Sequence, residues 1–358
     1  RANQETAVGG MSSSADESSV GNQKSAEELH LKNLLKRGQK QEAVDIIMQY
    51  IEAAAQQKNF GRAEKLRNTL IQIDSMQLSK IIRAAEIIEE HKQFSIPAEH
   101  QETWRSLIDL LGAEEFAALY HVMTLKQYSR GEMVVRQGAF LAQLLFVNSG
   151  QIQVFAHVRG SEVPLKTVAQ GEVVGGRTFF ESSVWTVSAR SLGAELLILP
   201  RKQLTRLQQT YPSMESKLID FGARFVPTNM LFQKTRRNRR RFERKALEGR
   251  AVAALLNTNN TDTGIEMKGD LFDISRGGVS FCVHISKKQN AEKLFRRRVR
   301  VGIPVGKGAG KIYHYHYGVI VAVRGHHVVS NEYSIHIQFD THLDFQEVER
   351  ILGDGSGK

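Results

Sequence analysis

From residue 25 the apolar positions recur at helical spacing: Leu31, Leu34 and Leu35, then Ala43, Ile46, Ile47, Tyr50 and Ile51, continuing to about His91. Ser25 followed by Glu28 has the form of a capping box at the head of that block. Arg37-Gly38, Asn59-Phe60-Gly61 and Asp74-Ser75 interrupt the pattern, which predicts about four amphipathic helices joined by short turns. Another helix is predicted between Pro97 and Leu111 on Trp104, Leu107, Ile108, Leu110 and Leu111. From Val122 the period shortens. The runs MVV (133–135), LLFV (144–147), IQVFAHV (152–158) and LLIL (196–199) alternate with Gly131, Gly138, Gly150 and Gly171, as a β jelly roll requires. After Leu231 the texture changes again. Evenly spaced runs IEMKGDLFDIS, GVSFCVHI, RRVRVGIPV, YHYHYGVIVAVRG and YSIHIQFD predict antiparallel strands, and Phe345 to Leu352 predicts a terminal helix.

The chain is therefore expected to be a multidomain α+β protein: an N-terminal helical bundle, a β jelly roll, and a C-terminal six-stranded β-barrel plus helix. Its 358 residues, 41% hydrophobic and 24% charged, suit two or three globular domains. We divide it into a tag and unstructured tail (1–24), a helical docking or dimerisation domain (25–95), the jelly roll (96–228), a basic linker (229–250) and the barrel (251–358). Residues 1–10 precede Met11, read as a tag, and are set aside. Residues 11–24 are Ser-rich, with too little apolar surface to offset the entropy of ordering. Gln41-Glu42-Ala43 and Gly61-Arg62-Ala63-Glu64, each after a turn, are similar in style to tetratricopeptide hairpins, two copies where an array needs about three. A protein partner docking on this domain, or a homodimer, is expected; a helical appendage with no partner of its own is the alternative.

The formal charge of +11 favours anionic partners. A single cysteine, Cys282, excludes an internal disulfide framework and points to a reducing cytoplasm. No run reaches the ~18 apolar residues that span a bilayer. GxSxG, Walker and HExxH motifs are absent from the chain, so a non-enzyme is expected, with no cofactor beyond a bound ligand.

The segment YSRGEMVVRQGAFLAQLLFVNSGQIQVFA resembles the cyclic-nucleotide-binding domain of catabolite-activator and kinase regulatory proteins, with Gly131-Glu132, Gln137-Gly138, Phe146 and Gly150 at the family's turn positions. That family holds the cyclic phosphate with a Gly-Glu turn opening a short helix and with an arginine about nine residues on, because a phosphate in an apolar pocket needs a fixed cation and N–H donors. In GEVVGGRTFFESSVWTVSARS, Gly176 stands at the glutamate position and Trp185 at the arginine position. Arg177 or Arg190 would have to substitute. A structural or dimerising jelly roll is the expectation, since an unpaired buried phosphate is costly. The helix-turn-helix that follows in transcription-factor relatives is not evident.

Between Lys234 and Arg250 nine cations face two acids, a net +7. Arg240 and Arg244 form RxxxR, and some thirty residues on Asp273, Ser275 and Gly278 form DxSxxG. Together these resemble the signature of PilZ domains, bacterial receptors for cyclic di-GMP, and the resemblance covers 234–350, including GVIV (318–321) and SIHIQF (334–339). The residue types suit the ligand: guanine N7 and O6 accept a bidentate arginine fork, and guanidinium planes stack on purines. The resemblance implies that Arg240 and Arg244 reach guanine edges and phosphates, with Arg241 in the same basic run and Arg239 or Arg236 clamping a second guanine. Asp273 would accept from guanine N1–H and N2–H₂, Ser275 would bond a phosphate oxygen, and Gly277 and Gly278 would let the backbone approach closely. An Asx-type turn is the plainer account of Asp273 and Ser275, and a solvated basic linker that of the arginines.

Two further features are set aside. His314 and His316 alternate on Tyr313–Tyr317 and share a face, but alternating aromatics on a half-buried strand explain them without a metal. Cys282, in the apolar run GVSFCVHI, is expected to be a small buried hydrophobe. The leading expectation is a cytoplasmic second-messenger effector whose domain arrangement or partner binding changes with cyclic di-GMP. The alternatives are a nucleic-acid-binding regulator using RRNRRRFERK on phosphate backbones, and a dual sensor whose jelly roll also takes cAMP or cGMP.

Overall fold

A computed structural model describes residues 27, 29–158, 160–225, 242–305, 312–327 and 331–353, with Arg177 by its backbone alone. The tail, the Ser25–Glu28 capping box and the arginines 236, 239, 240 and 241 lie outside the described residues. The chain divides into two compact units, 1–98 and 99–358.

The first unit holds four helices, α1 (29–36), α2 (Lys40–Gln56), α3 (Phe60–Ile73) and α4 (Leu78–Phe94), at the expected places. Gly38 makes the first turn at φ 73°, and Asn59 caps α3 by accepting from the Arg62 N–H. Leu34, Val44, Ile47, Ile51, Leu70 and Ile88 pack its core. At the end of α4 the buried ammonium of Lys92 lies 2.7 Å from Glu64 and 2.9 Å from Glu89. Burial alone would lower its pKa, but the two carboxylates outweigh that and raise it.

The second unit begins with α5 (Ala98–Thr103), α6 (Arg105–Leu111) and α7 (Ala113–Val122). The single helix expected between Pro97 and Leu111 is broken at Trp104, whose indole turns into the core: it packs edge-on to Phe146 at 5.4 Å and donates to Asn148 Oδ1 at 2.9 Å. The jelly roll follows as β1 (Thr124–Tyr128), β2 (Met133–Val135), β3 (Gln143–Val158), β4 (Ser161–Ala169), β5 (Val173–Val174), short helix α8 (Gly176–Phe180) and β6 (Ser188–Pro200). The strands run β1-β6-β3-β4, with β2 on β6 and β5 on β3. The runs expected as separate strands around Gly150 are one strand, β3. Gly150, at φ 71° and with the Gly193 carbonyl standing where a Cβ would be, bends the strand without ending it. Helices α9 (Arg201–Leu207) and α10 (Met214–Ala223) close the roll.

The barrel comprises β7 (Lys245–Ala246), β8 (Arg250–Leu256), β9 (Asp262–Ser275), β10 (Gly278–His284), α11 (Lys288–Glu292), β11 (Arg298–Val305), β12 (Ile312–His327), β13 (Glu332–Phe339) and α12 (Phe345–Leu352). The antiparallel order β10-β13-β12-β11-β8-β9 is closed by β9 on β10, giving six strands with β7 as a short flap on β9. Val279, Phe281, Val301, Ile320, Ile335 and Ile337 alternate inward, and Val348 and Ile351 of α12 join them. Asp344 and Glu347 cap that helix reciprocally.

Jelly roll and barrel meet along a bonded seam inside this unit. The Val184 N–H donates to the Val321 carbonyl at 3.0 Å, the Val323 N–H donates to the Ser182 carbonyl at 3.1 Å, and Ser183 pairs in register with Ala322. Arg201 of α9 spans Glu215 of α10 at 3.1 Å and Glu292 of α11 at 3.0 Å, and Lys288 reaches the same Glu215 oxygen at 2.8 Å. Phe140 and Phe295 pack at 5.7 Å.

Candidate functional site

The turn between β9 and β10 places the DxSxxG residues at one end of the barrel. Asp273 accepts from the Ser280 hydroxyl at 2.7 Å and faces the Arg244 guanidinium, whose Nη1 lies 3.1 and 3.0 Å from its two oxygens. Both partners of this ion pair are about one-third open to solvent, so its net contribution is small, about 0–1 kcal/mol, and it re-partners cheaply. Arg244 is held there by backbone pairing: the next two residues, Lys245 and Ala246, add to β9 opposite Ile274 and Asp273. The Lys245 ammonium ties the same flap to Glu349 of α12 at 2.5 Å.

Phe242 seats the chain just ahead of that flap. Its ring is T-shaped to His342 at 4.9 Å, carries the Arg276 guanidinium at 5.0 Å, and lies where a Cβ on Gly277 would come within 3.0 Å. Arg276 donates from Nε to the Leu343 carbonyl at 2.8 Å. Gly277 thus lies against an aromatic ring of the protein itself.

Of the expected site residues, Arg244, Asp273, Ser275, Gly277 and Gly278 come together at this turn. Two of them make contacts within the protein. The Ser275 side chain is buried and its hydroxyl points at the Gly278 carbonyl at 3.4 Å, an inward-facing turn contact. Gly278 is needed for strand packing: a Cβ there would land on the Ile337 carbonyl of β13, so its close approach is to the sheet. Phe242, Arg276, Ser280 and His342 went unrecognised in the sequence. The one available signal was Ser280, two residues after the motif and on the same face of its strand.

The jelly-roll positions also resolve. Gly175, at φ 97°, precedes α8, and Gly176 opens it. Trp185 is buried, donates from Nε1 to the Leu141 carbonyl at 2.8 Å, and lays its ring 2.6 Å from where a Gly175 Cβ would be. The indole therefore occupies the face of the turn before α8. Arg190 pairs with Glu162 at 2.9 Å and covers the Phe155 ring at 4.8 Å.

Elsewhere in the barrel, Cys282 is half-buried on the outer wall, because Phe281 and Val283 take the inward positions of β10. Burial, with Glu332 and Asp270 nearby, pushes its thiol pKa up. His314 and His316 lie on one strand as expected, and among the described residues no group of three His, Cys, Asp or Glu side chains is placed to hold a metal. His316 packs at a tilt against Phe339, ring centres 5.2 Å apart, and burial lowers its pKa. Among the described residues no helix is long and apolar enough to cross a membrane.

The family model of the cyclic nucleotide-binding domain matches residues 125–211, the span from β1 through α9. The middle of the chain is thus a cyclic nucleotide-binding-like jelly roll. No curated protein matches the chain. Similar solved structures include the catabolite activator protein of Thermus thermophilus, 25% identical over 36% of this chain and 62% of that one, with a TM-score of 0.32. Another is the c-di-GMP responsive global regulator CLP of Xanthomonas campestris, 22% identical over 35% of this chain and 62% of that one, TM-score 0.31. A third, the N-terminal domain of a Streptomyces coelicolor transcriptional regulator, is 23% identical over 34% of this chain and 90% of that one, TM-score 0.31. The chain spans less than two-thirds of the first two.

Proposed function

We infer that the C-terminal barrel is a receptor for cyclic di-GMP and that the whole chain is a non-enzymatic second-messenger effector. The observation that carries this is the Arg244–Asp273 pair: the second arginine of RxxxR and the aspartate of DxSxxG, 29 residues apart, meet at one solvent-open turn. On binding, Arg244 exchanges Asp273 for a phosphodiester or a guanine edge. Asp273 keeps its Ser280 bond and offers its remaining lone pairs to guanine N1–H and N2–H₂. Arg236, Arg239, Arg240 and Arg241 supply the further cations that two phosphates and two guanines require. Ser275 reaches a phosphate oxygen only by turning out of its bond to Gly278.

Calorimetric titration of the full chain with cyclic di-GMP tests this, with cyclic di-AMP in parallel and Arg240→Ala and Asp273→Ala as variants. Saturable, guanine-selective binding lost in both variants supports the reading. Absence of heat, together with DNA binding that weakens steeply with salt and shows no nucleotide preference, replaces it with the nucleic-acid-binding regulator.

A second reading, a cyclic mononucleotide in the jelly roll, is favoured by the family match over 125–211. Trp185 stands against it, because a buried indole fills the face where the family holds its phosphate with an arginine. Concentration-dependent thermal stabilisation by cAMP or cGMP, retained in Asp273→Ala, would establish it.

A further inference from the structure

Beside the seam lies a cavity of about 750 Å³, inside the range of small-molecule pockets. The jelly roll supplies Trp185, Phe180 and Ile219 to its wall, and the barrel supplies Val323 and Tyr333. Glycines 176, 222 and 325 make parts of that wall bare backbone. A Cβ on Gly325 would meet no atom within 4 Å, and one on Gly222 would meet only Val173 Cγ2 at 4.0 Å, so both face open space with ordinary backbone angles.

Among the described side chains, the charge lining this space is wrong for an anion. Two lysines, Lys166 and Lys288, face four carboxylates, Glu181, Glu215, Glu292 and Glu332. Lys288 is taken by Glu215 at 2.8 Å and Lys166 by Glu172 at 3.4 Å. A nucleotide phosphate entering here would lose its water and, among the described side chains, find its cations already committed. Four aromatic rings, Phe180, Trp185, Phe225 and Tyr333, and aliphatic walls instead match a flat apolar molecule, whose desolvation is favourable.

The wall also takes in Gly175, Gly176 and Thr186, from the segment with which the family holds its nucleotide; we propose that here this pocket, opened towards the barrel and distinct from the arginine-bearing turn, takes an uncharged, ring-containing apolar small molecule instead. Its walls come from both the jelly roll and the barrel, so the occupant bridges the two.

The test uses two dyes with the same ring system on the full chain: uncharged N-phenyl-1-naphthylamine and its anionic sulfonate, 1-anilinonaphthalene-8-sulfonate. The uncharged dye is expected to bind saturably at one site and to quench tryptophan emission by energy transfer from Trp185. The sulfonate should bind at least about tenfold more weakly. Gly222→Phe fills the cavity from the jelly roll and Gly325→Phe from the barrel, and loss of dye binding in either variant, with its thermal midpoint kept, supports the site. Absence of saturable binding, unchanged binding in both folded variants, or equal binding of the sulfonate overturns the proposal.

Discussion

The ring of Trp185 and the backbone of Gly175 are in such close contact that neither residue tolerates a larger neighbour: a Cβ on Gly175 would lie 2.6 Å from the indole, at a φ of 97° that side chains rarely adopt. Gly175→Ala is therefore expected to destabilise the jelly roll by about 1–3 kcal/mol through backbone strain alone, with the clash added. Trp185→Ala should cost about 3–5 kcal/mol for the lost aromatic packing. Urea unfolding followed by far-UV circular dichroism checks both. A Gly175→Ala protein as stable as the parent would mean that the indole moves aside freely.

The two motif glycines should separate by stability. A Cβ on Gly278 collides with a backbone carbonyl of β13, which has nowhere to go, so Gly278→Ala is expected to cost about 3 kcal/mol or more. A Cβ on Gly277 meets side chains alone, Phe242 at 3.0 Å and His342 at 3.9 Å, and a ring can tilt, so Gly277→Ala should cost under about 1 kcal/mol. Thermal midpoints of the two variants decide the order.

His316 gives the barrel a pH dependence. Burial holds its pKa below the ordinary value, with His314 adding to the effect and Glu347 opposing it. The unfolded chain therefore binds the proton more tightly than the folded one. Stability is full above the ordinary imidazole pKa of about 6.5 and declines as pH falls below it. His316→Phe should flatten that part of the profile, read from urea midpoints at about pH 7.5 and about pH 5.5. An unchanged slope would assign the dependence to other groups.

Glu215 is the hub of the seam, accepting from Arg201, Lys288 and Gln208. Burial by itself would raise its pKa, but Lys288 and Arg201 prevail and lower it, so its contribution is present above the ordinary carboxylate range and is lost as pH falls through the folded value. Glu215→Gln should cost about 1.5–3 kcal/mol, because two cations lose their shared counter-charge. The loss should be largest near neutral pH and vanish in acid, as measured by denaturant titration across that range.

Most of the barrel was legible because its strands alternate cleanly, as in Val279, Phe281 and Val283 of β10. Strand β8, RAVAALL, was not legible, since an alanine-rich run carries helix propensity and only its neighbours β9 and β11 hold it extended. Strand β4 was masked by Pro164, which pairs with Phe155 where the register slips and no ladder is lost. At the turn, the motif spacing identified Arg244 and Asp273. Phe242 was invisible because its value lies in contacts made only after the sheet closes, and Ser280 showed only as a polar residue two positions after the motif. The seam is a purely long-range feature: nothing in Ser182–Val184 foretells pairing with a strand that begins at Ile312.

One row of residues runs across the barrel wall from strand to strand: Asp273 opposite Ser280, Ser280 opposite His336, His336 opposite Ala322, and Ala322 opposite Ser183 of the jelly roll. Neighbouring strands lie about 4.8 Å apart, so the four steps span roughly 19 Å of hydrogen-bonded sheet. The carboxylate of the arginine-bearing turn and the loop after α8 are thus opposite ends of a single strut. Paired backbone therefore joins the β9–β10 turn to Ser183, a second connection between barrel and jelly roll besides the basic segment that links them in sequence.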